Sequence, residues 1–195
     1  MEIKIALIRS GMTQSGKQGR YIGAADESLC KDGINLLEAK KQEGCYAEAG
    51  RLYASGAKRC IETAKFLYEG QFIFLADGLS AYDYGDLEGK TYDEIQKDPQ
   101  FEAWACGKSD RLPGADNPYP ARRAAVAAFE RIMSECSENE IGSAAIVTHR
   151  PVILAILRER CTPKYAYNNI DIEYGGGALL IYNDYTKSLC VKDLF

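Results

Sequence analysis

Histidine occurs once in these 195 residues, at position 149. One imidazole excludes any mechanism in which one histidine is the nucleophile and a second its partner, and any zinc site built on two histidines. Cysteine is not scarce, but none of Cys30, Cys45, Cys60, Cys106, Cys136, Cys161 and Cys190 forms a C-x-x-C pair, and seven cannot all pair within one chain. Reduced thiols in a cytoplasmic protein are expected. No basic stretch leading into an apolar signal core follows Met1, and no apolar run reaches the ~20 residues that span a membrane. A net charge of -4 with both signs spread along the chain leaves no basic stripe and no like-charge tail. Neither nucleic acid nor a membrane is therefore an expected partner. There is no internal repeat and no low-complexity tract.

What is there suits one α/β domain over residues 1–195, long enough to bury roughly two thirds or more of its unfolded surface. Short β-branched runs, read as strands, occur at 3–8, 51–55, 72–76, 144–148, 178–182 and 189–194. Apolar residues at helical spacing lie between them, over 34–49, 58–68, 119–136 and 152–160, the last opened by Pro151. The alternation predicts a three-layer α/β fold, a mostly parallel sheet flanked by helices on both faces. The turn-rich "NDYTKS" predicts an antiparallel hairpin at a sheet edge. Residues 98–120, with "LPGADNPYP", are expected to be an irregular insertion or lid.

Ligands in open α/β sheets gather at the carboxyl ends of the strands. Arg9 follows the first strand, His149 follows 144–148, and Arg59 opens the helix after 51–55. Two guanidiniums, an imidazole and helix N–H groups would make a phosphoryl pocket. Taken singly, each has a plainer reading: an arginine after a strand is commonly a surface residue, and a histidine there a hydrogen-bonded core residue. The thirteen tyrosines fit a substrate cleft, a homodimer patch or scattered packing. "LIRSGMTQSGKQGRYIG" (7–23) thus opens like a phosphate-binding turn, with Ser10 as its odd member.

Five stretches, "LIRSGMT…GRYIGAADESLCKDG", "YASGAKRCIETAKFL", "LSAYDYGDLEGKTYDEI", "LPGAD" and "IVTHRPVILAIL", together resemble the histidine phosphatase superfamily, the phosphoglycerate mutase-like family, in order and spacing from about residue 3 to about 182. The flavour is that of its small bacterial phosphatases, including α-ribazole phosphatase-like proteins. The resemblance implies a phosphoglycerate mutase-like fold, a phosphorylated small-molecule partner and no metal or cofactor. In that family the first strand ends in Arg-His-Gly, whose histidine attacks phosphorus, and a glutamate protonates the leaving oxygen. Two arginines and a second histidine hold the phosphoryl group. By resemblance Arg9 and Arg59 match the arginines, His149 the second histidine, and Gly11 and Thr13 the loop.

The remaining positions depart from the pattern. The nucleophile falls on Ser10, the acid on Ala81, the phosphate-binding loop asparagine on Gly16, and the glycine after the second histidine on Arg150. "Ala115-Asp116-Asn117" stands where "GES" is usual. A serine nucleophile needs a base, and His149 is expected to be a cation beside phosphate, unable to take the proton. Asp83 shares a face with Ala81 in an extended segment, so Asp83 or Glu88 is a conceivable substitute acid. Arg150 would add to the phosphate-binding charge. Three readings follow: a phosphate-ester binder impaired in catalysis, an active phosphatase or mutase with a rearranged site, and an interaction module with a vestigial pocket.

Overall fold

Alternate residues of the first strand part to opposite sides of a sheet. A computed structural model describes residues 1–106, 108, 109, 112, 114, 115, 117–161 and 170–195. In it β1 (Glu2–Arg9) sends Ile3, Ile5 and Leu7 into one core cluster and Ala6 and Ile8 into another. β4 (Ser143–Thr148) repeats the division, with Ala144 and Ile146 on one side and Ala145 and Val147 on the other. That is the period-two signature of strands covered on both faces.

With β2 (Arg51–Ala54), β3 (Ile73–Leu75), β5 (Gly177–Asn183) and β6 (Ser188–Leu194), these strands form a six-stranded sheet in the order β3-β2-β4-β1-β5-β6. Three of its five pairings are parallel; β5 runs antiparallel to β1, and β6 to β5. The sheet is mixed, and the expected hairpin closes its edge. Helices α1 (Gln14–Lys17), α2 (Lys31–Gln42), α3 (Lys58–Leu67), α4 (Tyr92–Ile95), α5 (Pro99–Ala105), α6 (Pro118–Glu138) and α7 (Arg150–Arg160) complete the fold. α6 and α7 cover the Ile3–Ile5–Leu7 face, through Phe129, Ile132, Met133 and the run Val152 to Leu157. α2 and α3 cover the other face through Leu37, Cys60, Ala64 and Leu67. Burying each large apolar side chain of this kind stabilises the fold by about 1.5–3 kcal/mol. A third cluster, Leu87, Ile95, Phe101 and Leu112, stands apart from the sheet.

Two expectations need correction. The helix expected over 34–49 starts earlier, at Lys31 with Cys30 as its cap, and stops at Gln42. Gly44 then turns into the left-handed region at φ +75°, ending the helix as glycine commonly does. The apolar residues beyond it pack from a loop, and Tyr46 donates its hydroxyl to the Gly175 carbonyl at 2.8 Å. The stretch 98–120, expected to be irregular, contains α5 and the first turn of α6. Asp98 caps α5 with Pro99 in its first turn, and Asn117 caps α6 with Pro118. Pro99 and Pro118 are here helix starters. Asp116 and the tyrosines at 165 and 167 lie outside the described residues.

One glycine fixes the loop that matters most. Gly33, in the first turn of α2, lies on the segment after β1 so closely that a Cβ would sit 2.2 Å from the Met12 carbonyl oxygen. The same carbonyl accepts from the Cys30 N–H at 3.0 Å.

Candidate active site

Parallel pairing brings the first site residues together. β1 and β4 are in register at Arg9 and Thr148, so the next residues of each, Ser10 and His149, emerge side by side. The Ser10 N–H closes the turn onto the Thr148 carbonyl at 2.9 Å. On the other side of β4, β2 delivers Ser55, whose N–H bonds the Val147 carbonyl at 3.0 Å, and α3 then presents Arg59 and Cys60. The Thr148 hydroxyl donates to the Leu79 carbonyl at 2.7 Å and so docks the segment carrying Ala81. The Thr63 hydroxyl accepts from the Gly11 N–H at 2.8 Å and ties that loop to α3. Arg9, Ser10, Arg59, Ala81, His149 and Arg150 all line one cleft of about 390 Å³ at the carboxyl ends of the strands.

Arg59 is only 4 % exposed, and its guanidinium spends three of its five N–H donors on the protein. Nη1 donates to the Ala25 carbonyl at 2.7 Å, and Nη2 to the Gly23 carbonyl at 2.9 Å and to Nδ1 of His149 at 3.3 Å. A guanidinium only donates, so Nδ1 is the acceptor, and the imidazole proton resides on Nε2, which faces the Ser55 hydroxyl at 3.1 Å. Burial first, then the charges of Arg59 and Arg9, push His149 down to about 3. With the charges of this chain alone the ring is neutral, whereas the sequence led us to expect an imidazolium beside phosphate. A dianion in the cleft would favour the protonated ring by the same Coulomb interaction.

Cys60 completes this buried group. Its sulfur lies 3.6 Å from Nε2 of His149 and within hydrogen-bonding reach of the Ser10 and Ser55 hydroxyls. Burial pushes the thiol up to about 12, which keeps it protonated at neutral pH. Ser10 is itself buried. Arg9 anchors the mouth of the cleft: Nη1 donates to the Ile172 carbonyl at 2.6 Å, and the guanidinium stacks 3.6 Å from the Tyr174 ring centroid. Burial lowers its pKa, but a guanidinium stays charged. Arg150 is held by the Ile170 carbonyl at 3.2 Å, with Asp171 at 3.9 Å.

The two conceivable substitute acids are placed elsewhere. Oε1 of Glu88 accepts from the N–H groups of Gly23 (2.8 Å), Ala24 (3.0 Å) and Tyr84 (3.1 Å), and Oδ1 of Asp83 caps the Gly85 N–H at 2.7 Å. Neither lines the cleft. Glu88 thereby holds the loop whose carbonyls hold Arg59. Glu88→Ala is expected to cost about 2 kcal/mol of stability, the loss of charge-assisted bonds to partly buried donors; an unchanged urea midpoint would contradict this.

Sequence reasoning missed Arg20 and Arg122, and the aromatics Tyr21, Tyr82, Tyr84, Trp104 and Tyr174, all of which also line the cleft. Arg20, Tyr21, Tyr82 and Tyr84 lie inside the stretches already singled out. Trp104 lies in the expected 98–120 insertion, and the tyrosines entered only as a group that fits a cleft; Arg122 carried no sequence signal.

The family model of the histidine phosphatase superfamily (branch 1) matches residues 5–190. The chain belongs to that superfamily. A 2,3-bisphosphoglycerate-dependent phosphoglycerate mutase of Nautilia profundicola is 32% identical over 102 residues, spanning 48% of this chain and 44% of that protein. Among solved structures, phosphoglycerate mutase from Bacillus anthracis superposes with a TM-score of 0.81 at 16% identity, covering 98% of this chain and 92% of that one. The α-ribazole phosphatase from Shigella flexneri gives 0.77 at 21% identity, covering 98% and 96%. At these identities the two structures establish a shared fold. Ser10, the residue that the resemblance set at the place of the attacking histidine, lies in this superfamily member next to the Cys60 thiol.

Proposed function

We propose that this histidine phosphatase superfamily member binds a phosphorylated small molecule in the cleft and has lost phosphohistidine chemistry. The observation that carries the reading is the lining itself. Arg9, Arg20, Arg59, Arg122, Arg150 and His149 surround the cleft, with no aspartate or glutamate among the described lining residues. Several guanidiniums in a partly water-excluded cleft attract a phosphate dianion, and the donors they do not spend on the protein can reach its oxygens. The names of the relatives, a phosphoglycerate mutase and an α-ribazole phosphatase, are consistent with a phosphate ester of a small molecule.

Turnover is a different matter. A serine oxygen must lose its proton to attack phosphorus. The lone pair of His149 at Nδ1 is already taken by Arg59, and its Nε2 carries a proton. Cys60, the other group beside Ser10, is a protonated thiol. Ala81 donates nothing to a leaving oxygen, a role that typically supplies about 10²–10⁴-fold.

The test has two arms. Purified protein should hydrolyse p-nitrophenyl phosphate no faster than buffer, and its melting temperature should rise with phosphorylated metabolites, by the equivalent of about 2.7 kcal/mol at a hundred times the dissociation constant. Arg9→Ala should weaken that binding at least tenfold, about the value of one charge-assisted contact. Turnover abolished by Arg9→Ala would instead establish a rearranged but active phosphatase. No stabilisation by any phosphorylated compound would leave a vestigial pocket.

A further inference from the structure

Position 16 and position 174 compete for one place. Gly16 lies within α1, and a Cβ on it would fall 2.6 Å from the Tyr174 hydroxyl oxygen and 3.0 Å from the ring carbon bearing it. The backbone there is ordinary helix, so the tyrosine, and not a special φ, leaves no room for a side chain. Tyr174 is held firmly. Its ring stacks on the Arg9 guanidinium at 3.6 Å. The next N–H, of Gly175, bonds the Arg9 and Ser10 carbonyls at 3.2 and 3.3 Å. Tyr174 lines the same cleft as Arg9, Ser10 and Thr13. A phenol hydroxyl therefore stands at the loop after β1, from a segment more than 150 residues later in the chain.

We propose that Tyr174 is a phosphate-binding residue of this cleft: its hydroxyl donates to a phosphoryl oxygen from the place a side chain at position 16 would occupy, while its ring holds Arg9 in line. The inference rests on the cleft being a phosphate site. The chemistry suits it. A phenol is a neutral donor that adds a hydrogen bond without adding charge to a cleft already rich in arginine, and a bond to an anionic oxygen is about twice as strong as one between neutral groups. A cation stacked on an aromatic face loses side-chain freedom before the ligand arrives.

Titration calorimetry with inorganic phosphate tests this on the full chain. Tyr174→Phe keeps the ring and removes the donor, and should weaken phosphate about tenfold with an unchanged melting temperature. Tyr174→Ala should weaken it further, because Arg9 loses its stacking partner. Adding Gly16→Asn to Tyr174→Ala should recover affinity, since the vacated space admits a side-chain amide, whereas Gly16→Asn alone should lose affinity by displacing the ring. Wild-type binding with an equal affinity in Tyr174→Phe would overturn the inference and leave the phosphate site standing. Tighter binding in Tyr174→Ala would mark the ring as an obstruction and overturn it too. No phosphate binding by the wild type would overturn the reading of the cleft itself.

Discussion

Ser10→His, Ala81→Glu and Cys60→Ala together are expected to convert the chain into a phosphomonoesterase, at least about 10²-fold more active than the wild type. That is the lower end of what general acid catalysis alone contributes. Arg9, Arg59 and His149 already line the cleft together with positions 10 and 81. An imidazole introduced at position 10 would attack phosphorus, the bond from phosphorus to the ester oxygen would break, and that oxygen would take the proton of the new carboxyl group. Water, deprotonated by the same carboxylate, would then release phosphate from the imidazole. Cys60 is the third change because its sulfur contacts the Ser10 hydroxyl and lies 3.6 Å from the His149 ring, in the space a larger group at position 10 must enter. Overpacking a buried site typically costs about 1–3 kcal/mol, so the double variant without Cys60→Ala should be both less stable and less active. Aryl and alkyl phosphates separate the contributions. A good leaving group needs the acid least, so omitting Ala81→Glu should hurt alkyl phosphates more. A triple variant that folds and binds phosphate yet turns over nothing would show that more than the nucleophile and acid has been lost.

The parts of this site that were legible without the family resemblance, Arg9, Arg59 and His149, share one property: each ends or follows a strand. Alternating and β-branched runs place Arg9 and His149 at strand ends, and pairing in register then brings them together. The sheet was legible for the same reason, since a period of two survives whatever lies around it. The partnership of Cys60 with Ser10 was not legible. A cysteine on the buried face of α3 reads as ordinary core, and only the docking of α3 beside β4 sets its sulfur against the imidazole. The charge state of His149 was hidden too, because it is set by burial and by two guanidiniums from separate segments, β1 and α3. Gly16 looked like a simple loss; it makes room for Tyr174, far along the chain. Helix ends failed where local chemistry outweighs apolar spacing, at Gly44 after α2 and at Asp98-Pro99 before α5.

Because the chain has one histidine, its protonation can be followed without ambiguity. The ring is 5 % exposed and is pushed down from 6.5 to about 3 by burial, Arg59 and Arg9. Between those two values the unfolded chain carries a proton on this ring that the folded chain does not, so stability must rise with pH across that window. His149 contributes fully above pH 6.5, and that contribution drains away as the pH falls towards 3. From pH 6.5 to 4 the loss from this one group is about 3 kcal/mol, at 1.36 kcal/mol per unit. Carboxylates also titrate near the lower end, so the measurement is a difference. Urea unfolding of the wild type and of His149→Gln should be compared at pH 7, 5.5 and 4. The amide can still accept from Arg59 and donate to Ser55 but binds no proton in either state, so the variant should lose about 3 kcal/mol less over this range. In proton NMR the single histidine signal should stay fixed from pH 8 to 5. A phosphorylated ligand at saturating concentration should make it titrate, because the anion stabilises the imidazolium and binding then takes up a proton. A signal that titrates near 6.5 in the protein alone would mean that His149 is solvated and its bond to Arg59 is not formed. Ser10 would then have a free base beside it after all.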